Sequence, residues 1–147
     1  MNRKSSDEIL RTHLLRSTDC RRDMLDYFFE RGHAVSFPQI EKDLPGHDRS
    51  SLFRNLLFFE ENGFLHKLTD ALGVTKYALC EENCFGHVHN HLEHMHFTCD
   101  KCSETFCLDQ VKVKRIEMPA GYEAREMVLL AKGVCVNCTT KTQKTSS

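Results

Sequence analysis

The sequence predicts an α+β fold in two parts, an N-terminal winged helix-turn-helix followed by a small C-terminal α/β unit. Three observations carry this. Four segments with helix-start signals and helix-period apolar residues run from Ser5 to Gly63. A strand–turn–strand pattern follows over Phe64 to Leu79. Beyond it the chain crowds with metal-ligand residue types: Cys80, Cys84, His87, His89, His91, His94, His96, Cys99, Cys102 and Cys107, with Cys135 and Cys138 as a closing C-x-x-C pair. Imidazole nitrogen and thiolate sulfur are the ligands zinc prefers, so the second half is organised around metal.

Each helix has a local reason to start and stop. Ser5 and Glu8 have capping-box spacing ahead of an apolar stripe of Ile9, Leu10, Leu14 and Leu15. Thr18 opens a second helix that carries Met24, Leu25, Phe28 and Phe29, and Gly32 is placed to end it. Ser36 caps a short third helix with Pro38 in its first turn and Gln39 at the return position, and Pro45-Gly46 stops it. Asp48 caps a fourth, Arg49 to about Asn62, with Leu52, Phe53, Leu56, Leu57 and Phe59 as its apolar set. A short helix, a tight turn and a longer helix form a helix-turn-helix, and the hairpin turning at Asp70 to Gly73 supplies the wing.

The pattern changes between residues 80 and 86. The expected division is a winged-helix domain over 1–80, a hinge over 81–86, a metal-binding domain over 87–138 and a frayed tail over 139–147. Within the metal-binding part, His94 to Cys99 and Thr105 to Leu108 read as paired strands around the first C-x-x-C. Val111 to Ile116 fits a strand or a short helix, and Glu123 to Lys132 predicts a third strand.

Composition narrows the function classes. The net charge is −1, and the first 70 residues balance eleven Lys/Arg against twelve Asp/Glu, so a nucleic-acid surface would have to be a local patch. No apolar run approaches the roughly 20 residues needed to span a bilayer, which predicts no membrane partner. Eight cysteines without a signal-type leader predict a reducing, cytoplasmic setting and metal sites rather than disulfides.

Cys99, Cys102, Cys135 and Cys138 together supply the four thiolates of a closed, structural zinc site. His94 and His96, two apart on a strand, could reach one ion. With His66 at the end of the first wing strand, Cys80 after the second and Cys107 beyond the first C-x-x-C, they could build a second site joining the two halves. His87, His89, His91 and Cys84 receive no role, and for His13, His33 and His47 a surface position is the default.

Ser50-Ser51-Leu52-Phe53-Arg54-Asn55-Leu56-Leu57-Phe58-Phe59-Glu60-Glu61-Asn62-Gly63 resembles the recognition helix of the ferric uptake regulator family of metal-dependent repressors. His94-Met95-His96-Phe97-Thr98-Cys99-Asp100-Lys101-Cys102 is similar to that family's H-x-H plus C-x-x-C signature, and Gly133-Val134-Cys135-Val136-Asn137-Cys138 to its closing G-x-C-x-x-C. The resemblance spans roughly residues 18 to 138. It implies a winged-helix DNA-binding domain, a C-terminal α/β dimerisation domain with structural zinc, and a regulatory ion near the hinge. It further implies a homodimer that binds a double-stranded DNA operator, with Arg49, Ser50, Ser51, Phe53 and Arg54 at the DNA.

The chain departs from the family pattern at several places. Phe53 replaces a tyrosine, Ser103 the glycine after the first C-x-x-C, and Cys107 an acidic ligand. Cys80 and His66 look like the zinc-uptake branch. A regulatory set of His66, Cys80, His94 or His96, and Cys107 is rich in nitrogen and thiolate, which favours tetrahedral zinc over iron. The resulting expectation is a zinc-responsive repressor of metal-uptake genes, with one structural and one regulatory zinc per chain and no small-molecule substrate. Iron at the regulatory site is the alternative within the family. A zinc-binding protein-interaction module without operator binding is the alternative from another class. An enzyme is disfavoured: His91-x-Glu93 stands too near Cys99-x-x-Cys102 for a zinc-deaminase arrangement, and a closed four-thiolate site leaves no position for substrate.

Overall fold

Four short side chains start the four N-terminal helices. Ser5 accepts the backbone N–H of Glu8 at 3.2 Å, Thr18 that of Arg21 at 3.3 Å, Ser36 that of Gln39 at 3.4 Å and Asp48 that of Ser51 at 3.1 Å. Each bond satisfies a donor that the first helical turn leaves unpaired. The helices are α1 (Ser6–Thr12), α2 (Asp19–Arg31), α3 (Phe37–Asp43) and α4 (Arg49–Glu61). These belong to a computed structural model that describes residues 4–80, 85, 94–112, 116–125, 127 and 129–144. Gly32 ends α2 with φ +67°, a left-handed conformation that glycine adopts without a steric cost.

The core gathers one stripe from each helix. Leu10, Met24, Leu25, Ile40, Leu52, Leu56 and Phe59 are fully buried, together with Phe64 and Leu65 at the start of the wing. Burial of each such side chain stabilises the domain by about 1.5–3 kcal/mol, and truncating Leu56 to alanine would cost about 2–5 kcal/mol. The apolar spacing of the helices includes three side chains that the core does not take. Leu14 is 93% exposed, because α1 stops at Thr12 and Leu14 takes a positive φ of 58°. Phe53 and Leu57 lie on the outer side of α4, 43% and 37% exposed, since the helix turns only Leu52, Leu56 and Phe59 inward.

The wing is the antiparallel pair β1 (Leu65–Thr69) and β2 (Thr75–Leu79), in the register Leu65 to Leu79 through Thr69 to Thr75. Asp70 builds its turn: its carboxylate accepts the N–H groups of Leu72 and Val74, both at 2.9 Å, and meets Lys76 Nζ at 3.1 Å. Of the expected hinge only Phe85 is described. Its buried ring stacks on Phe64 at 4.4 Å between centroids.

The second sheet has the order β4-β3-β5. The hairpin strands β3 (His94–Cys99) and β4 (Thr105–Lys112) pair antiparallel, and β5 (Leu130–Gly133) lies parallel to β3. Val111 and Lys112 therefore continue β4. The third strand forms at Leu130–Gly133 instead of over Glu123 to Lys132, where main-chain pairing to β3 fixes its place. The register of β3 on β4 shifts between His94 and Met95: Met95 faces Leu108, while His94 faces Lys112. A last helix, α5 (Val136–Lys144), occupies much of the segment expected to be a frayed tail. It begins directly after Cys135, and the Thr139 N–H donates to the Cys135 carbonyl at 2.9 Å.

The two sheets are tied together. Ala34 N–H donates to the Thr105 carbonyl at 2.7 Å, and Val35 pairs with Tyr77 of the wing. Lys76 reaches from β2 to the Ser103 carbonyl at 3.1 Å. No helix among the described residues is long and apolar enough to cross a membrane.

Candidate metal centres and nucleic-acid face

Backbone pairing brings the two C-x-x-C pairs together. Cys99 ends β3, and its register partner on β5 is Gly133, whose carbonyl accepts the Asp100 N–H at 2.7 Å. A Cβ at Gly133 would stand 3.2 Å from the ring of Phe97, so glycine allows this close pairing. Two residues on, Cys135 donates its backbone N–H to the Cys99 sulfur at 3.3 Å. Cys138 follows three positions later in the first turn of α5, which turns its sulfur to the same side as that of Cys135.

The donor atoms of Cys99, Cys102, Cys135 and Cys138 all lie within 4.8 Å of one another, and Cys102 Sγ is 3.8 Å from Cys135 Sγ. A disulfide would need about 2.05 Å. A tetrahedral zinc with bonds of about 2.3 Å sets its sulfurs about 3.8 Å apart, so the geometry fits the four-thiolate set.

The proton chemistry of the group agrees. Backbone N–H groups, that of Cys102 first and then that of Cys135, hold the Cys99 thiol down to about 6. Burial, followed by the neighbouring Cys135 and Cys99, pushes Cys138 up to about 12. Cys102 is also raised: the Glu104 N–H pulls it down, but burial and the thiols beside it outweigh that. The Cys99 sulfur ionises readily, and those of Cys102 and Cys138 would do so only against a cation that offsets the repulsion of their neighbours.

The second constellation spans the two halves. His66 on β1, His96 on β3 and Cys107 on β4 place their donors within 4.8 Å of one another. His66 Nε2 lies 3.2 Å from His96 Nε2 and 3.1 Å from Cys107 Sγ. These are close to the edges of a zinc coordination tetrahedron, about 3.4 Å between nitrogens and about 3.6 Å from nitrogen to sulfur. His66 and His96 are buried and Cys107 is half-buried, so solvent would weaken little of an ion's attraction.

Cys80 adjoins the same cluster from the other side of His66, its sulfur 3.4 Å from Nδ1. The His94 side chain lies outside the described residues, as do Cys84, His87, His89 and His91. Cys20, which the sequence leaves unassigned, is half-buried on α2 and belongs to neither cluster.

On α4, Arg49, Ser50, Phe53 and Arg54 are exposed, and Ser51 is half-buried. Ser51 has a local job, since its hydroxyl donates to Asp48 at 2.7 Å while its N–H meets the same carboxylate. Two residues of α3, not anticipated from the sequence, hold the outer side chains of α4. The Phe37 ring stands edge-on to Phe53 at 5.4 Å and lies under the Arg49 guanidinium at 5.7 Å. Glu41 Oε1 is 3.5 Å from Arg49 Nε. The signal available was Phe37 itself, a large aromatic residue at a helix start.

Comparison with known proteins gives a consistent picture. The family described as "Ferric uptake regulator family" matches residues 13–129. The ferric uptake regulation protein of Staphylococcus aureus is 29% identical over 143 residues, 94% of this chain and 98% of that protein. A solved zinc uptake regulator complexed with zinc and DNA superposes with a TM-score of 0.59 at 20% identity, over 93% of this chain and 92% of its own. A zinc-bound manganese uptake regulator superposes at 0.58 and 15% identity, over 90% and 100%. Three different metals stand in these names, and the shared fold does not choose between them.

Proposed function

This chain belongs to the ferric uptake regulator family, and on that premise we propose that it is a zinc-sensing repressor of metal-uptake genes. Membership makes it a metal-responsive, DNA-binding transcriptional regulator and not an enzyme. The finer reading is a cytoplasmic homodimer that binds a double-stranded operator, with one structural and one regulatory zinc per chain.

The observation that carries it is the convergence of His66, His96 and Cys107 from β1, β3 and β4 on one point. Two imidazoles and a thiolate suit zinc better than iron or manganese, which would favour more carboxylate. Cys99, Cys102, Cys135 and Cys138 hold the structural ion. His66, His96 and Cys107 hold the regulatory one, with His94 on the same strand as a further donor. Cys80 engages the other nitrogen of His66.

An ion in the second site ties the wing to the β3–β4 hairpin and restrains the angle of the DNA-binding domain. In a dimer, that angle decides whether two α4 helices meet successive major grooves. Each tenfold gain in DNA affinity requires about 1.4 kcal/mol of preference for the restrained state, and DNA must tighten metal by the same factor. Arg49 serves phosphates, while Ser50, Ser51, Phe53 and Arg54 line the face presented to bases. Phe53 offers its ring to a thymine methyl.

Metal content per chain, before and after mild chelation, tests the reading. One retained and one removable zinc, with DNA binding that follows the removable ion, is the expected result. Iron is the second reading, favoured by the ferric uptake regulation protein found among the relatives. A removable iron would replace zinc sensing with iron sensing. No sequence-specific DNA binding at any metal loading would favour the protein-interaction module.

A further inference from the structure

We propose that Phe37 of α3 is a positioning residue for base reading by α4, one that sets the side chains of Phe53 and Arg49 before DNA arrives. The inference rests on α4 being the recognition helix, and it adds a residue outside that helix. Three contacts converge on it. Phe37 is half-buried and packs against the core below, so its ring has a fixed floor. Its edge meets the Phe53 ring at 5.4 Å with the planes 67° apart, an arrangement aromatic quadrupoles favour. Its face carries the Arg49 guanidinium at 5.7 Å.

The chemistry explains why such a brace is useful. Phe53 is 43% exposed, and its ring meets that of Phe37 at the helix surface. A free phenyl ring would lose rotamer freedom on meeting a thymine methyl, and the same holds for the longer Arg49 at a phosphate. Holding both from α3 removes part of that loss in advance. Phe37 itself touches no base in this arrangement. Its effect passes through Phe53 for sequence and through Arg49 for phosphate.

The test uses the zinc-loaded chain of 147 residues and duplexes recovered by the wild-type protein from a randomised DNA pool, with a shuffled duplex of the same composition as control. Phe37→Leu keeps apolar volume on the core, and thermal unfolding confirms that it folds. Phe37→Tyr keeps the ring. Phe37→Leu is expected to weaken binding to the recovered duplex by about fivefold to tenfold relative to the shuffled one, and Phe37→Tyr to restore the ratio.

A Phe53→Ala background supplies the readout that a merely structural role would not move. There, Phe37→Leu should leave the recovered-to-shuffled ratio unchanged, because the side chain it positions is gone. Equal losses on both duplexes, no loss on either, or an undiminished effect in the Phe53→Ala background would each overturn the proposal. A wild-type protein that enriches no sequence from the pool would instead overturn the recognition-helix reading beneath it.

Discussion

The Nε2 atom of His66 on β1 lies 3.2 Å from the Nε2 atom of His96 on β3, with the two rings stacked at 28°. Nitrogens that close cannot both carry a proton facing the other. Cys107 Sγ, 3.1 Å from the same His66 nitrogen, makes a third electron-rich atom at the point. Three such donors, largely shielded from water, are best satisfied by one shared cation. His96→Ala should therefore lose the removable metal and keep the tightly held one. We expect affinity at the removable site to fall by more than about 100-fold, beyond the 10–100-fold typical of outer partners. Competition against a chromophoric chelator measures it, and wild-type affinity in this variant would rule the site out.

Cys80 and Cys107 approach His66 from opposite ring nitrogens, and their substitutions should differ in kind. An ion on Nε2 meets Cys107 directly, while Cys80 can orient the ring through Nδ1. With cobalt(II) in the removable site, Cys107→Ser should abolish the sulfur-to-metal charge-transfer band. Cys80→Ser should weaken binding by about 10–100-fold yet leave that band at full intensity per bound ion. A band that drops by about half in Cys80→Ser would make Cys80 a direct ligand.

The difference between what could and could not be read in advance is one of range. Ser5, Thr18, Ser36 and Asp48 act on N–H groups three residues away, and each cap was visible locally, from residue type at Thr18 and Asp48 and from box spacing at Ser5 and Ser36. The C-x-x-C pairs were legible for the same reason, since two sulfurs three residues apart already restrict the chemistry. The His66, His96 and Cys107 cluster joins three strands: residue type and position offered these three among several possible donors, and no local spacing could say which of them meet. The register shift between His94 and Met95 depends on how β4 pairs with β3, which no local pattern encodes. Apolar spacing along α4 does not tell an inner stripe from an exposed one, so Leu57 could not be separated from Leu52, Leu56 and Phe59 in advance, and Phe53 was set outside only by the resemblance.

Ser103 has a φ of +61° and sits where the chain leaves the first C-x-x-C. A left-handed conformation strains any residue with a Cβ, and glycine would relieve that strain. Ser103→Gly should stabilise the protein by about 1 kcal/mol, since the contacts the residue makes here, N–H to the Cys99 carbonyl and carbonyl to Lys76, are main-chain atoms that survive the change. Chemical denaturation of the zinc-loaded protein reads the difference. A loss of stability would mean that the serine side chain has a role beyond this geometry.

Asp70 ties stability to pH through the wing. Burial pushes its carboxyl upward, but the Val74 N–H, the Lys76 ammonium and the Leu72 N–H outweigh it, and the net shift is downward. Folding thus weakens proton binding here, so the stabilisation is present above the unfolded value of about 3.9 and is lost as pH falls through the lower folded value. Asp70→Asn should cost about 1–3 kcal/mol at neutral pH and flatten the decline in stability between about pH 5 and pH 2. Parallel wild-type and Asp70→Asn curves over that range would exclude Asp70 as the source.

Glu41 stands 3.5 Å from the Arg49 guanidinium, whose side chain is 77% exposed. An exposed pair of this kind contributes little to folding, about 0–1 kcal/mol, so removing the acid should leave stability nearly unchanged. Its effect on DNA is larger in kind. A carboxylate beside Arg49 competes with phosphate for the same donor and adds negative charge near the duplex. Glu41→Gln should therefore bind DNA about threefold to tenfold more tightly, and it should do so on specific and shuffled duplexes alike, because phosphate contacts carry no sequence. Its advantage should shrink as salt rises, in keeping with a charge effect. Fluorescence anisotropy on both duplexes between about 50 and 200 mM salt measures this. Weaker binding by Glu41→Gln would show instead that the acid presents Arg49 to the duplex, and that the guanidinium needs Glu41 as well as Phe37 to hold its place.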